Sequence, residues 1–140
     1  MDDDRPSWES IWMQLAWTLS ERSTCARLKV GCVIVTEDNC HVLALGYNGN
    51  YALGPNECDS DKPGRCGCLH AECNSLLKLR YTGGQIKIAY ITHVPCRACA
   101  KMLVNAGVDR VVYQEKYRDM TSLKILDDAG LGVERYEVET

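Results

Sequence analysis

Two short motifs combine residues that bind metal ions with a residue that can move protons. The first is His70-Ala71-Glu72 and the second is Pro95-Cys96-Arg97-Ala98-Cys99. One imidazole and two thiolates would hold a zinc ion through three protein ligands and leave a fourth position open, as in catalytic zinc sites. Zinc lowers the pKa of a water bound there towards neutrality, and the carboxylate of Glu72 could carry the proton that this water loses. The motifs therefore predict a catalytic zinc site with an activated water.

Each motif is predicted to lie at the start of a helix. Residues 70–80 carry apolar side chains at helical spacing without Gly or Pro, and residues 96–106 lie between a proline and a glycine. The positive end of a helix dipole favours thiolates at Cys96 and Cys99, and their i, i+3 spacing places both sulfurs on one face of the first turn. A C-x-x-C pair alone would also fit a redox pair or half of a structural zinc knuckle. The upstream His-x-Glu motif favours catalysis.

Length and composition favour one domain that acts on a small substrate. The chain has 140 residues and a formal net charge of −3 at pH 7. This length suffices for a single core, so we expect one domain over residues 1–140. The charge balance disfavours nucleic acid as a partner, and the lack of a run of ~18 apolar residues disfavours a membrane span. The acidic start at residues 1–4 gives no sign of a secretion signal. Nine cysteines, an odd number, favour metal ligands and free thiols in a reducing cytoplasm.

The order of predicted elements favours a mixed sheet covered by helices on both faces. Strands over 30–36 and 41–47 form a hairpin, and three further strands alternate with helices after a loop rich in Gly, Pro and Cys. The first helix, over 7–22, has a predicted core-facing stripe that consists of Trp8, Ile11, Trp12, Leu15, Ala16 and Leu19. The remaining segments are helices over 70–80, 96–106 and 120–129 and strands over 86–92, 109–114 and 133–138. We expect a three-layer α/β/α fold with a five-stranded mixed sheet and an active site at the strand ends.

Four segments of the chain resemble a known family. They are Ser23-Thr24-Cys25-Ala26-Arg27 with Val30-Gly31, Gly46-Tyr47-Asn48-Gly49, His70-Ala71-Glu72-Cys73-Asn74 and Pro95-Cys96-Arg97-Ala98-Cys99-Ala100-Lys101. The H-x-E and P-C-x-x-C pair is the signature of the zinc-dependent cytidine deaminase superfamily. The other two segments resemble its deoxycytidylate (dCMP) deaminases, of the viral and bacterial type. The resemblance runs from about Trp8 to Val133 and implies the cytidine-deaminase-like fold. It also implies hydrolytic deamination of dCMP to dUMP and ammonia, which supplies dUMP for thymidylate synthesis.

The resemblance assigns the metal ligands and the acid–base residue. It implies that His70, Cys96 and Cys99 bind the catalytic zinc. Glu72 would take a proton from the attacking water and deliver it to N3 of the base and to the departing amine, because ammonia leaves only once it is protonated.

Four residues are candidates for binding the nucleotide. The backbone N–H of Ala71 lies at a predicted helix start, where it could hold the O2 carbonyl of the base. By resemblance, Asn48 would hold the deoxyribose hydroxyl and Tyr117 would pack on the pyrimidine, although Asn48 also fits an ordinary turn and Tyr117 an exposed loop aromatic. A 5′-phosphate requires Arg or Lys donors, and the candidates, in order, are Arg27, then Lys29 and Arg118.

Cysteines outside the two motifs predict a second metal site. Some viral members of the family carry a second zinc that joins the segment after the first helix to the loop before H-A-E. The cysteines of this chain in those regions are Cys25, Cys58, Cys66 and Cys68. Four thiolates would make a closed structural site that stabilises a glycine-rich loop, although Cys stands here where such relatives can have His. The other candidates are interpreted as packing or surface residues: Cys32, Cys40, His41, Cys73 and His93. His93-Val94 also replaces the residues, usually including Ser, that many relatives carry before Pro-Cys, and this departure touches the wall of the base pocket.

The resemblance also implies regulation and assembly. Many family members form hexamers that dCTP activates and dTTP inhibits, with Mg²⁺ accompanying the nucleotide. Their effector site uses the loop that corresponds to Gly46, Tyr47, Asn48 and Gly49. Unequal binding of effectors to two assemblies would provide such control. The chain lacks the Pro that relatives commonly carry two residues after Gly49, so the loop supports this expectation only in part.

Three other functions fit parts of the sequence. A deaminase of adenosine in tRNA must grip a polyanion, which the acidic charge balance disfavours. A deaminase of another cytosine nucleoside or nucleotide would differ mainly in its phosphate contacts. A non-catalytic zinc scaffold would have no use for the proton-carrying Glu72.

Overall fold

Helices and strands follow the predicted order in the described part of the chain. The computed structural model describes residues 4–62, 65–80, 84–117 and 119–138. The helices are α1 (Trp8–Ser20), α2 (Ala71–Lys78), α3 (Arg97–Asn105) and α4 (Thr121–Asp128). The strands are β1 (Gly31–Thr36), β2 (Val42–Tyr47), β3 (Lys87–His93), β4 (Arg110–Glu115) and β5 (Gly132–Arg135). None of these helices combines the length and apolar character needed to cross a bilayer.

The strands form one mixed sheet in the order β2-β1-β3-β4-β5. β1 is antiparallel to both β2 and β3, whereas β3, β4 and β5 are parallel to one another. The predicted hairpin is therefore confirmed. Each parallel step is made through a helix, α3 between β3 and β4 and α4 between β4 and β5, as such connections require.

The sheet separates two cores. All six residues of β1 are buried, and they alternate between the two faces of the sheet. Val33 and Val35 pack with α1 on one face. Cys32 and Ile34 pack on the other face, in a cluster that includes residues of α2, α3 and α4. The predicted three-layer α/β/α fold with a five-stranded mixed sheet is confirmed.

The buried face of α1 differs from the predicted stripe. Trp8 is 52% exposed and Ile11 37% exposed, so their prediction as core residues is wrong. The buried residues of α1 are Trp12, Met13, Ala16 and Ser20. A Cβ on Gly31 would lie 1.8 Å from the carbonyl oxygen of Ala16, so the helix backbone touches β1 directly there. Contact centred on Ala16 brings Met13 into the core, which helical periodicity alone does not indicate.

The last strand is shorter than predicted. β5 begins at Gly132 and ends at Arg135, whereas the prediction extended to Val138. The strand lies at the edge of the sheet and pairs with Arg110–Tyr113 of β4. Val138 is 64% exposed, so the last apolar residue of the predicted strand buries no surface that would extend it.

Candidate active site

The two motifs meet at the carboxyl ends of β3 and β4. α2 and α3 both begin at this edge of the sheet, with His70 and Cys96 as their N-cap residues. In α/β folds ligands bind at the carboxyl ends of parallel strands, because helix N-termini and connecting loops gather there. The prediction that both motifs lie at helix N-termini is confirmed.

His70 precedes α2 in extended backbone, with φ −76° and ψ 153°, and its side chain makes no capping hydrogen bond. The imidazole is therefore available as a ligand. The start of α2 packs closely on β2 at Gly46. A Cβ on Gly46 would lie 2.9 Å from the carbonyl oxygen of Ala71 and 2.8 Å from Oγ of Ser75. The absence of a side chain at Gly46 thus sets the position of the helix turn that carries the motif.

Cys96 caps α3 through its own sulfur. The backbone N–H of Cys99 donates to Cys96 Sγ at 3.3 Å, so the thiolate lies at the positive end of the helix. Cys99 is buried one turn later, at 1% exposure. The i, i+3 spacing therefore brings both sulfurs to the same face, as predicted.

The three predicted ligands form a cluster that suits zinc. His70 Nδ1 lies 3.4 Å from Cys96 Sγ and 3.4 Å from Cys99 Sγ, and all three ligand atoms lie within 4.8 Å of one another. Zn–S and Zn–N bonds of usual length in a tetrahedron give a sulfur–nitrogen edge of about 3.6 Å. One imidazole and two thiols at this separation are a typical zinc donor set with one coordination position left over.

The three predicted ligands shift one another's pKa values. Hydrogen bonds from Cys99 and His70 lower the pKa of the Cys96 thiol to about 4. The same bond to Cys96 raises the pKa of His70. Hydrogen bonding to Cys96 and burial raise the pKa of Cys99. Cys96 is therefore held as a thiolate, the form in which cysteine binds metal ions.

Glu72 lies in the first turn of α2 and is only 3% exposed. Burial raises the pKa of its carboxyl group to about 6. A carboxyl group with a pKa close to neutrality is suited to accept a proton and to give it back. Within the residues that the structure describes, no other carboxyl group combines this burial with a position in the cavity beside the cluster.

A cavity of about 740 Å³ opens over the cluster and is large enough for a nucleotide. Its wall contains His70, Glu72 and Cys96. The predicted substrate residues also line it: Arg27, Asn48, Ala71 and Tyr117. The structure therefore brings these predicted residues together, although they come from five separate parts of the chain. Lys29 is not among the lining residues, and Arg118 lies outside the described residues.

The side chain of Asn48 lines the cavity and also holds two backbone segments together. Its Oδ1 accepts from the backbone N–H of Val30 at 2.8 Å, and its Nδ2 donates to the carbonyl oxygen of Leu28 at 2.7 Å. These bonds join the end of β2 to the segment before β1. They leave one N–H and one lone pair of the amide for a ligand, so the turn and binding interpretations of Asn48 are compatible.

Four further polar residues that end or follow β3 and β4 line the cavity: His93, Glu115, Lys116 and Asp119. His93 ends β3, and its Nδ1 lies 2.8 Å from the hydroxyl of Thr92. Lys116 and Asp119 follow β4 and line the cavity beside Tyr117. His93 therefore lies in the wall where the sequence suggested a departure from the family pattern, whereas Glu115, Lys116 and Asp119 were not singled out from the sequence. The signal that could have found these residues is their position immediately after parallel strands, where α/β active sites form.

The cysteines of the second predicted site also lie together. Sγ of Cys58 is 3.8 Å from Sγ of Cys25 and 3.7 Å from Sγ of Cys68. Cys25, Cys66 and Cys68 have sulfurs within 4.8 Å of one another. A zinc ion held by thiolates has sulfur–sulfur edges of about 3.8 Å. Burial opposes ionisation of Cys25, but hydrogen bonds from backbone amides and neighbouring thiols outweigh it and lower the pKa of the thiol.

The loop 46–49 connects this cysteine cluster with the catalytic motif. Gly49 and Leu69 exchange backbone hydrogen bonds of 3.0 and 2.7 Å, and Leu69 stands between Cys68 and His70. A Cβ on Gly49 would lie 2.5 Å from Oγ1 of Thr24. The structure thus gives Gly46 and Gly49 packing roles, and their role in binding an effector stays a prediction.

Known proteins are similar to this chain in sequence and in fold. Deoxycytidylate deaminases of Saccharomyces cerevisiae and Schizosaccharomyces pombe are 42% and 34% identical to the chain, each over 94% of it. The chain spans about half the length of these curated relatives, 46% and 45%. The solved dCMP deaminase of the cyanophage S-TIM5, in complex with dCMP and dUMP, has a TM-score of 0.82 and 31% identity over 96% of this chain and 100% of that one. The family description "Cytidine and deoxycytidylate deaminase zinc-binding region" matches residues 6–115. The chain therefore belongs to the cytidine and deoxycytidylate deaminase family.

Proposed function

We propose that this protein is a zinc-dependent enzyme that hydrolyses dCMP to dUMP and ammonia, and so supplies dUMP for thymidylate synthesis. The main support for the proposal is the cluster of His70, Cys96 and Cys99. His70 and Cys96 line one nucleotide-sized cavity together with the buried Glu72. The cyanophage relative, whose solved structure contains dCMP and dUMP, supports the choice of substrate. The formal net charge of −3 does not suit a tRNA substrate.

Zinc held by these three ligands would lower the pKa of a water in the open position. Glu72 accepts a proton from the attacking water as its oxygen bonds to C4 of the base. The carboxyl group then delivers this proton to N3, takes up the remaining proton of the hydroxyl group now on C4, and passes it to the amine as the C4–N bond breaks. Water is consumed and ammonia is released, so atoms and charge balance without a redox partner.

The cavity wall offers a partner for each part of the nucleotide. The N–H of Ala71, in the first turn of α2, suits the O2 carbonyl of the base. The remaining amide capacity of Asn48 suits the deoxyribose hydroxyl, and the ring of Tyr117 suits the face of the pyrimidine. Arg27 and Lys116 are the described cations of the wall, and both suit a 5′-phosphate.

The test is an absorbance assay of the purified protein with dCMP, deoxycytidine, CMP and adenosine as separate substrates. We expect turnover of dCMP far above that of the other three. Preferred turnover of deoxycytidine or adenosine would keep the acid–base role of Glu72 but reject the proposed substrate. Absence of turnover on all four by a zinc-loaded protein would favour the scaffold alternative.

We further propose that Cys25, Cys58, Cys66 and Cys68 hold a second, structural zinc. Four sulfurs close to one another would make a closed site that joins the segment after α1 to the loop before α2.

Metal analysis should find about two zinc equivalents per chain. The double variant Cys58→Ser/Cys66→Ser should retain about half of the metal and melt at a lower temperature. Cys40→Ser, at an exposed cysteine, is the matched control, and one zinc in the wild-type protein would reject the second site.

The resemblance to the family also supports control by nucleotides. We propose a homo-oligomer, a hexamer by analogy, that dCTP with Mg²⁺ activates and dTTP inhibits through the loop 46–49. Light scattering with and without each nucleotide, together with the dCMP assay, tests this proposal. A monomer whose rate neither nucleotide changes would reject it.

A further inference from the structure

The segment 116–120, of which the structure describes residues 116, 117, 119 and 120, contributes to the cavity wall. Lys116, Tyr117 and Asp119 line the cavity. The segment leaves the sheet at Glu115, whose carbonyl oxygen accepts from the N–H of Val94 at 3.0 Å. It ends where α4 begins, at Thr121. Between these two anchors, Asp119 is held by hydrogen bonds to its side chain.

One ion pair joins this segment to the start of α3. Nε of Arg97 donates to Oδ2 of Asp119 at 2.8 Å. The other oxygen of that carboxylate, Oδ1, accepts from the N–H of Thr121 at 2.9 Å. Nη2 of Arg97 donates to Oγ1 of Thr121 at 3.4 Å. Hydrogen bonds from Thr121 and from Arg97 lower the pKa of Asp119 to about 2, so the carboxylate is charged over the working range of the enzyme.

The ion pair connects the cavity mouth with the metal cluster. Arg97 is the first residue of α3 and directly follows the ligand Cys96. Its side chain is 60% exposed and that of Asp119 is 39% exposed. Ion pairs this exposed add little to global stability. A weak contact can still decide the position of a short segment, because only that segment moves when the contact breaks.

We propose that Arg97 and Asp119 are positioning residues that hold the segment 116–120 against the nucleotide in the cavity. This inference rests on the proposed dCMP deaminase function. Neither residue takes part in the proton transfers assigned to Glu72. Loss of the pair therefore raises the KM for dCMP by about three- to fivefold, the range of a surface ion pair, and leaves kcat within about twofold.

The test compares four variants in the dCMP assay. Arg97→Ala removes the pair, and Asp119→Ser removes it while a hydroxyl can still accept from the N–H of Thr121. Arg97→Lys keeps a charge for Asp119 but not the forked geometry, so we expect partial recovery of KM. Because both residues act through one contact, the double variant Arg97→Ala/Asp119→Ser should be no worse than either single variant. The matched control is Lys124→Ala, which breaks the exposed Lys124–Asp128 pair of α4 and should change nothing.

Hydrogen–deuterium exchange of the segment 116–120 provides a readout that does not depend on turnover. Exchange should become faster in Arg97→Ala and Asp119→Ser and stay unchanged in Lys124→Ala. Unchanged exchange, an unchanged KM or additive single-variant effects would overturn the inference. If the wild-type protein does not turn over dCMP, the proposed function fails, and the exchange result alone decides whether the pair holds the segment.

Discussion

The acid–base chemistry proposed for Glu72 depends on where its side chain lies. The residue is almost fully buried in the first turn of α2, and burial raises the pKa of its carboxyl group to about 6. An exposed glutamate would stay ionised near neutral pH and would return a proton poorly. Its place two residues after His70 keeps it in the cavity wall beside the predicted zinc ligands.

Replacing Glu72 by Gln tests the proton-transfer role. Gln has nearly the same shape but cannot accept the proton, so we expect kcat for dCMP to fall roughly a hundredfold or more. Zinc content should match that of the wild-type protein, because Glu72 is not a predicted ligand. Glu21→Gln, at an exposed carboxylate just after α1, is the control. Nearly normal turnover by the Glu72 variant would refute the assignment.

Arg27 is the residue expected to distinguish nucleotide from nucleoside. A charged hydrogen bond to the 5′-phosphate would be lost in Arg27→Ala, which should lower kcat/KM for dCMP by roughly tenfold or more. The value for deoxycytidine, which has no phosphate, should change little. Lys29→Ala is a matched control, because Lys29 is exposed but does not line the cavity. Equal losses on the two substrates would show that Arg27 is structural.

At the scale of elements, the site depends on how closely helices approach the sheet. α2 and α3 carry the ligands at their first turns, and each points that turn at the same edge of the sheet. Gly46 permits α2 to touch β2, and Gly31 permits α1 to touch β1. The Gly46 contact lies at the start of α2, so small changes there should reach the predicted zinc ligands.

Gly46→Ala tests this coupling. The added methyl group would meet backbone and side-chain atoms of α2 at 2.8 to 2.9 Å, so either β2 or α2 must shift. We expect overpacking to lower the free energy of unfolding by about 1–3 kcal/mol and to reduce dCMP turnover. Denaturant unfolding and the absorbance assay measure the two effects. In the control Gly132→Ala, the methyl group would meet the flexible side chain of Arg110, at 3.3 Å, and unchanged stability of Gly46→Ala would contradict the packing argument.

At the scale of the whole molecule, segments distant in the chain share one cavity. His93 shows how packing between such segments changes the pKa of a side chain. Its ring stands edge-on to Trp17 of α1, with centroids 5.4 Å apart, and touches the hydroxyl of Thr92. Burial lowers the pKa of His93, and the charge of Glu115 opposes that shift only in part.

This shift predicts a pH dependence of stability. The unfolded chain protonates His93 near its ordinary pKa of about 6.5, whereas the folded protein resists protonation until a lower pH. The contribution of His93 to stability is therefore intact above about pH 6.5 and is lost as the pH falls towards the folded pKa. His93→Gln should show a weaker loss of stability between pH 7.5 and 5.5 than the wild-type protein, measured by denaturant unfolding. Identical slopes in the two proteins would contradict this prediction.

The features of this protein that depend on local spacing could be predicted from its residues alone. Helical and strand periodicity located the nine helices and strands of the described residues, and the i, i+3 spacing of Cys96 and Cys99 predicted two ligands on one helix turn. The pairing of His-x-Glu with P-C-x-x-C indicated the chemistry, because few other functions require those residue types together. The features that depend on packing between distant segments become visible only in the folded chain. Packing buries Met13 on α1, occupies the amide of Asn48 and brings Lys116 and Asp119 to the cavity wall. Periodicity cannot specify these features, because they follow from close backbone approaches and strand order rather than from neighbours in the chain.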